Sequence, residues 1–259
     1  MNKNHDYKIE QIVLAFDSSG YSHITIEHIV NIASHLKSTI QAIYIEDNNL
    51  LNAAGLPFTR EVTLHTAQTR KLDTQQITRH FNNLASQIRN MLETQASLAN
   101  IQSSFRVTRG PKIQTILQES LHAQLVFLPA ASRIIQTKKQ KFVAVAIDGQ
   151  NDMISLRLSA VLARKFELDL LVISEKAIEL PDDVHEFFRK DYPNIRFRQI
   201  QTDNPATLIN QLKYYAVEIL VIPETHFLLK QPDKIQRIIN SLNCDVLVTR
   251  SQPTNNSTH

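Results

Sequence analysis

The chain has 259 residues, 42% hydrophobic and 20% charged, with a formal net charge of +3. That length fits one large domain or two small ones, and the balance is that of a folded globular chain rather than a disordered one. The weak, scattered charge excludes an electrostatic nucleic-acid footprint, and no stretch approaches the ~20 apolar residues of a membrane span.

Ile12 to Phe16 is a short apolar strand that stops at Asp17, and Ile26, Ile29, Val30, Ala33 and Leu36 then recur at helical spacing. Ile40 to Ile45 returns to strand. The turn-rich apolar stretch LLNAAGLPF, residues 50 to 58, reads as a lid tucking Leu50, Leu51, Leu56 and Phe58 against its own helix. Its alternatives are a cover for a crevice or an apolar patch for a partner. A long helix is predicted over about residues 69 to 97, carrying Leu72, Ile77, Phe81, Leu84, Ile88, Met91 and Leu92. Phe105 to Thr108 is a strand, Pro111 opens a third helix, and Leu125 to Leu128 is a buried strand. The basic triplet Lys138, Lys139 and Lys141 reads as a solvated linker.

The order then repeats. Phe142 to Ile147 ends at Asp148; a helix carries Leu158, Val161, Leu162 and Phe166; strands follow at Leu170 to Ile173 and Phe197 to Ile200. A helix opened by Asn204 and Pro205 leads to Ile219 to Ile222, then a helix with Ile235, Ile238, Ile239 and Leu242 leads to Val246 to Thr249. Asp17 and Asp148 lie 131 positions apart, while Pro111 with Pro205 and Pro129 with Pro223 lie 94 apart, so the first copy carries about 37 extra residues in between. After Pro129 there is no room for both a fourth helix and a fifth strand. The tail SQPTNNSTH is small and polar.

Buried strands joined by helices predict parallel sheet with right-handed crossovers, hence an α/β fold of two doubly wound Rossmann-like units packed as a pseudo-dimer. The expected units are residues 1–135, with the insertion and the missing end, and residues 136–259.

IVLAFDSS with its amphipathic helix and IQAIYIED, then FRVTRGPKIQTIL, then KIQRIINSLNCDVLVTR, resemble the universal stress protein family in its tandem, two-domain form. The resemblance covers nearly the whole chain, and EDNNLLNAAGLPFTREV looks like a feature of a bacterial subgroup. It implies a stress-response protein that signals or docks more often than it catalyses, whose domain in some members binds ATP or another adenine nucleotide. It also implies that Asp17 and Asp148 lie against the nucleoside. The family's nucleotide-binding members carry a glycine-rich signature after the fourth strand. Here those stretches read LPAASRIIQTKKQKF and IPETHFLLKQPDKIQRIINSLNCDVL, and the four glycines are Gly20, Gly55, Gly110 and Gly149. Pro129 and Pro223 each remove a donor where a phosphate loop would start, and His226, Phe227 and Leu228 would crowd it.

A crevice is still expected at the carboxyl ends of the strands flanking each topological switch point. In the first half its lining is Asp17, Ser18, Ser19, Tyr44, Arg109, Gly110 and Ser132, with Arg109 able to meet a phosphate or carboxylate as a planar fork. In the second half the equivalents are Asp148, Gly149, Gln150, Ser174, Thr202, Glu224 and Thr225, which present two acids and no arginine. The first half is therefore the expected ligand site.

No catalytic residue is expected. A phosphotransfer or hydrolytic site built on Asp17 is the alternative, but it lacks a second acid for magnesium. Ser18 and Ser19 lack the flanking glycines of a nucleophile elbow. His23, His28 and His35 lack the i, i+4 spacing of a helical metal site, so no metal is expected and these read as surface or half-buried histidines. No cofactor is expected either, with ATP or AMP as the alternative. The expected partner is a protein or a small ligand, not nucleic acid or membrane, and the chain is either a monomer with a pseudo-twofold axis or a homodimer. The lone Cys244 and the polar start MNKNHDYK fit a cytoplasmic protein.

Overall fold

A computed structural model describes residues 9–17, 23–62, 69–71, 73–119, 123–130, 141–148, 152–174, 186, 190, 196–202, 205–226, 229 and 244–250. The strands are β1 (Gln11–Asp17), β2 (Thr39–Glu46), β3 (Arg60–Val62), β4 (Thr69–Lys71), β5 (Ser103–Arg109), β6 (Leu125–Leu128), β7 (Phe142–Ile147), β8 (Asp169–Ser174), β9 (Phe197–Gln201), β10 (Val217–Pro223) and β11 (Asp245–Thr249). The helices are α1 (His23–Leu36), α2 (Asn48–Ala54), α3 (Thr74–Leu98), α4 (Lys112–Glu119), α5 (Met153–Lys165) and α6 (Pro205–Tyr214).

Nine of these strands form one sheet, in the order β5-β2-β1-β6-β11-β10-β7-β8-β9. Every neighbouring pair is parallel except β6 with β11, where Leu128 faces Val246 and Phe127 faces Leu247 in antiparallel register. The chain is thus α/β, as its pattern predicts, with helices on both faces. Alternate residues divide the core: Ile12, Leu14, Phe16, Phe127, Val145 and Leu247 join the side chains of α1, α3 and α5. Val13, Ala15, Val126, Ala144 and Val246 join Ile116 of α4 and Leu208 and Leu212 of α6. Both layers run across the two halves without a break.

The internal repeat is visible in the turns. α1 and α5 each end on a left-handed residue with φ 55°, Lys37 and Glu167. Each is followed by an amide that reaches back five residues, Ser38 to the Ala33 carbonyl at 2.9 Å and Leu168 to the Ala163 carbonyl at 2.8 Å. Such a turn closes the last helical carbonyls and sends the chain directly into the next strand.

Three sequence expectations need correction. The long helix does not start at residue 69: Thr69–Lys71 is strand β4, paired antiparallel with β3, and α3 begins at Thr74. The stop signal is Asp73, whose carboxylate accepts the Gln75 amide at 2.9 Å as an N-cap. The stretch read as a lid is mostly helix α2, capped by Asp47 in the same way at 2.8 Å. Leu50 and Leu51 pack against the core beside buried Ala54, but Leu56 and Phe58 are 60% and 92% exposed rather than tucked in. Pro111 lies one position before α4 rather than in its first turn. The helix expected around Ile235 to Leu242, the basic triplet apart from Lys141, and the tail lie outside the described residues. No described helix is long and apolar enough to cross a membrane.

Leu247 is fully buried in the strand that joins the halves. Leu247→Ala is expected to cost about 2–5 kcal/mol, and because the core is continuous the loss should appear in a single denaturant transition with far-UV circular dichroism and tyrosine fluorescence superimposed. Two separated transitions would contradict a shared core.

Candidate functional site

In the first half the carboxyl ends of β1, β2 and β5 bring Asp17, Glu46 and Arg109 to one sheet edge. Asp17 is in register with Ile45, and Glu46 with Arg109. The Glu46 carboxylate is buried, with 6% of its side chain exposed, and accepts the Arg109 Nε–H at 2.5 Å. Arg109 itself is 61% exposed. Sequence inspection misses Glu46 because an acid at a strand end reads as solvated.

Tyr44, two residues earlier on the same face of β2, is fully buried and packs edge-on against Phe81 of α3 with ring centroids 6.3 Å apart. Among the described residues its hydroxyl has no hydrogen-bond partner. A buried, unpaired hydroxyl costs about 1–3 kcal/mol, so it calls for a compensating role. Burial first, then the charges of Glu46 and Asp17, push this hydroxyl well above its ordinary range.

Gly110 follows Arg109 with φ +153°, and a Cβ there would meet the Thr115 Oγ1 of α4 at 2.4 Å. Only glycine fits this bend. Its N–H donates to the Glu46 carbonyl at 3.3 Å, extending the β2–β5 ladder to the edge. Ser18, Ser19 and Ser132 lie outside the described residues; of the expected first-half lining, Asp17, Arg109 and Gly110 are at this edge, whereas Tyr44 lies two residues inside it, buried against α3.

Beyond β6 the Ala130 amide donates to Asp245 Oδ1 at 3.0 Å. Asp245 is fully buried at the start of β11, and its other oxygen lies 3.3 Å from His28 Nδ1 of α1. The His28 ring in turn packs on Phe166, with centroids 4.4 Å apart. His28 therefore ties α1 to the second half, a role its position in the sequence does not reveal. His23 pairs on the surface with Glu27 at 3.0 Å.

The second half's edge is tied up internally. Asp148, at the end of β7, takes His226 Nε2 at 3.0 Å, and His226 is buried just past the neighbouring strand β10. The Asp148 amide donates to Asp152 Oδ2 at 2.8 Å, and the Thr225 hydroxyl lies 3.3 Å from the other Asp152 oxygen. The pair spans the β7–β10 switch point itself. Thr202 donates its amide to the Ser174 carbonyl at 2.9 Å, and Glu224 donates its own to the Thr249 carbonyl at 2.8 Å. Contrary to the sequence expectation, this edge does hold an arginine: Arg250 Nε lies 3.5 Å from Glu224 Oε2. Burial lowers its pKa from the ordinary value, partly offset by Glu224. Gly149 and Gln150 lie outside the described residues. Among the described residues no group of three or more histidine, cysteine or acidic side chains could hold a metal ion.

Because Tyr44 stays protonated in the fold at a pH where the unfolded chain ionises, the unfolded state loses the proton first and stability must fall as pH rises. Wild type is expected to lose more stability than Tyr44→Phe between about pH 9 and pH 11, bracketing the ordinary tyrosine value of about 10, as measured by urea denaturation.

No family model and no curated protein sequence matches the chain. Solved structures do. A universal stress protein from Archaeoglobus fulgidus DSM 4304 superimposes with a TM-score of 0.51 at 9% identity, over 93% of this chain and 96% of that one. A putative universal stress protein from Pseudomonas aeruginosa UCBPP-PA14 gives 0.48 at 12% identity over 93% of each chain. The cytoplasmic domain of a prokaryotic cation chloride cotransporter gives 0.49 at 10% identity, over 96% of this chain and 98% of that one. The first of these shows that the chain has the universal stress protein fold over nearly its whole length.

Proposed function

We propose that this protein is a universal stress protein-like, non-enzymatic module of the cytoplasmic stress response, built of two tandem units, 1–135 and 136–259, in which the first unit holds a small polar ligand. The observation that carries this reading is the Tyr44 hydroxyl: fully buried, unpaired among the described residues, and two positions before Glu46 on the same face of β2. A ligand reaching that edge would supply the missing partner. The second unit serves as architecture, since His226 already occupies the acid that ends its first strand.

A triphosphate is disfavoured. The first amide past each edge proline is bonded within the protein, Ala130 to Asp245 and Glu224 to Thr249, which removes two of the main-chain donors a polyphosphate cradle needs. An adenine nucleotide such as AMP or ATP, held through Arg109 instead, is the second reading, favoured by the exposure of that guanidinium. A phosphotransfer role for Asp17 is weaker, because Glu46, the acid that ends the neighbouring strand β2, is already paired with Arg109.

The test is mass spectrometry of small molecules that survive native purification, on wild type and Tyr44→Phe. A ligand is expected with wild type and absent from the variant, while the variant's intrinsic stability is unchanged or raised by up to about 1–3 kcal/mol once the unpaired hydroxyl is gone. Recovery of ATP would overturn the preference against a triphosphate. A Tyr44→Phe variant that loses stability and retains the same ligand would remove the site.

A further inference from the structure

β9 is the last strand of the sheet, at the opposite end from β5, and among the described residues only its inner side is paired. The Arg196 carbonyl accepts the Leu170 amide at 3.0 Å and the Thr202 amide donates to the Ser174 carbonyl at 2.9 Å. A strand in a parallel ladder turns every second residue toward its neighbour, so Phe197, Gln199 and Gln201 aim their main-chain N–H and C=O groups outward. Such a row accepts a further strand.

Beside that row lies a connected set of rings. Tyr214, 72% exposed at the end of α6, stands edge-on to Tyr215 with centroids 5.0 Å apart, and Tyr215 stands edge-on to Phe142 at 5.5 Å. The exposed Arg198 guanidinium lies 5.8 Å from the Phe142 ring centre and 5.9 Å from that of Tyr215. It makes no hydrogen bond or ion pair among the described residues, whereas Arg109 on the opposite edge strand is committed to Glu46. The two rings hold the cation in place and leave its N–H donors open. Arginine and tyrosine are also the side chains that most often anchor protein interfaces. Arg196 alternates onto the same face, Lys213 ends α6 beside Tyr214, and Asp169 is the acid that starts β8 on that face. Lys141 is already paired with Glu218. The face is therefore basic.

We infer that β9 is a docking edge for an extended acidic segment of a partner protein, which joins the sheet as an outer strand and is held by Arg196, Arg198 and Tyr214. The fit is charge complementarity in a fixed register. A residue opposite β9 on the added strand brings its Cβ within about 5 Å on the same face. Acids therefore fall opposite Arg196 and Arg198, and an apolar residue falls opposite Ile200, which packs on the core layer of α6. Antiparallel pairing is the more stable per residue, so the segment reads, from its amino end, apolar, any, acid, any, acid. A second copy of this chain fits less well, because β9 paired with itself about Gln199 sets two Arg198 side chains as diagonal neighbours on one face. The edge lies in the second unit and does not depend on the ligand site proposed for the first.

The test is an amide NMR titration of the full-length, 15N-labelled protein with the capped peptide TVTETET. Saturable shifts are expected at residues 197–201 and at Tyr214. The peptide TVTTEET, of the same composition, turns one glutamate to the other face and should bind about 5-fold more weakly or worse, the order of one charge-assisted contact. TVTKTKT should not bind. Arg198→Gln should cost TVTETET about 5-fold or more in affinity. Gln199→Pro removes an outward donor and none that serves β8, so it should abolish binding with the fold intact by far-UV circular dichroism. Should that variant unfold, Arg198→Gln and TVTTEET decide the matter.

The inference is overturned if TVTETET gives no saturable shift, if the shifts fall away from β9, or if Arg198→Gln binds it as tightly as wild type. Equal binding of TVTTEET would replace a registered strand with diffuse charge attraction. A dimer of the free protein that Gln199→Pro abolishes would give the edge to a second copy instead.

Discussion

One strand holds this sheet together. β11 pairs in parallel with β10 on one side and antiparallel with β6 on the other, so a five-residue element closes the exposed edge of both halves at once. Without it β6 and β10 would each present an open row of amides and carbonyls, together with the apolar faces of Val126, Phe127, Leu220 and Val221, all fully buried here. Val246 and Leu247 are fully buried and Val248 nearly so, each contributing on the order of 1.5–3 kcal/mol of hydrophobic burial.

The antiparallel junction has a geometric consequence. Strands of the two halves point in opposite directions, so the carboxyl edge of the first lies on the opposite side of the sheet from that of the second. The two switch-point crevices, where an open parallel sheet takes ligands, are therefore remote from each other and free to diverge. They have diverged: the second is bridged by Asp148 and His226, whereas the first half carries its edge ion pair, Glu46 with Arg109, on β2 and β5 instead. The start of β11 meanwhile brings Asp245 to the first half's edge, where it serves Ala130 and His28 together. A buried acid with two partners is a costly arrangement unless both are kept, which gives the junction a defined register as well as a hydrophobic core.

Much of this was legible along the chain. β6 and β7 have the bounds their apolar runs predict, and the other sheet strands differ by one or two residues at their ends, because a strand buried on both faces writes itself as an unbroken apolar run. The 131-residue offset between Asp17 and Asp148 announces two edges of the same kind, and the matching turns at Lys37 and Glu167 have that same origin. The insertion was harder. Its helix α2 is seven residues long and the β3–β4 pair only three per strand, too short for any periodicity to register. Asp47 and Asp73, the capping acids that delimit α2 and α3, are each satisfied by a local amide two residues on and were readable in principle.

What the sequence determined by itself is the layer architecture, the repeat, and which residues end each strand: Asp17, Arg109, Gly110 and Asp148 were all named from their place after a strand, and Tyr44 from its place near the end of one. What only the tertiary structure decided is which of those residues are already engaged. Glu46 with Arg109, His226 with Asp148, and His28 with Asp245 are 63, 78 and 217 positions apart in the chain. Local propensity and hydrophobic period act over a few residues, whereas a side-chain pair depends on strand order and register across the sheet. The strand order was fixed when β11 paired with β6, and nothing local to either strand specifies that partner.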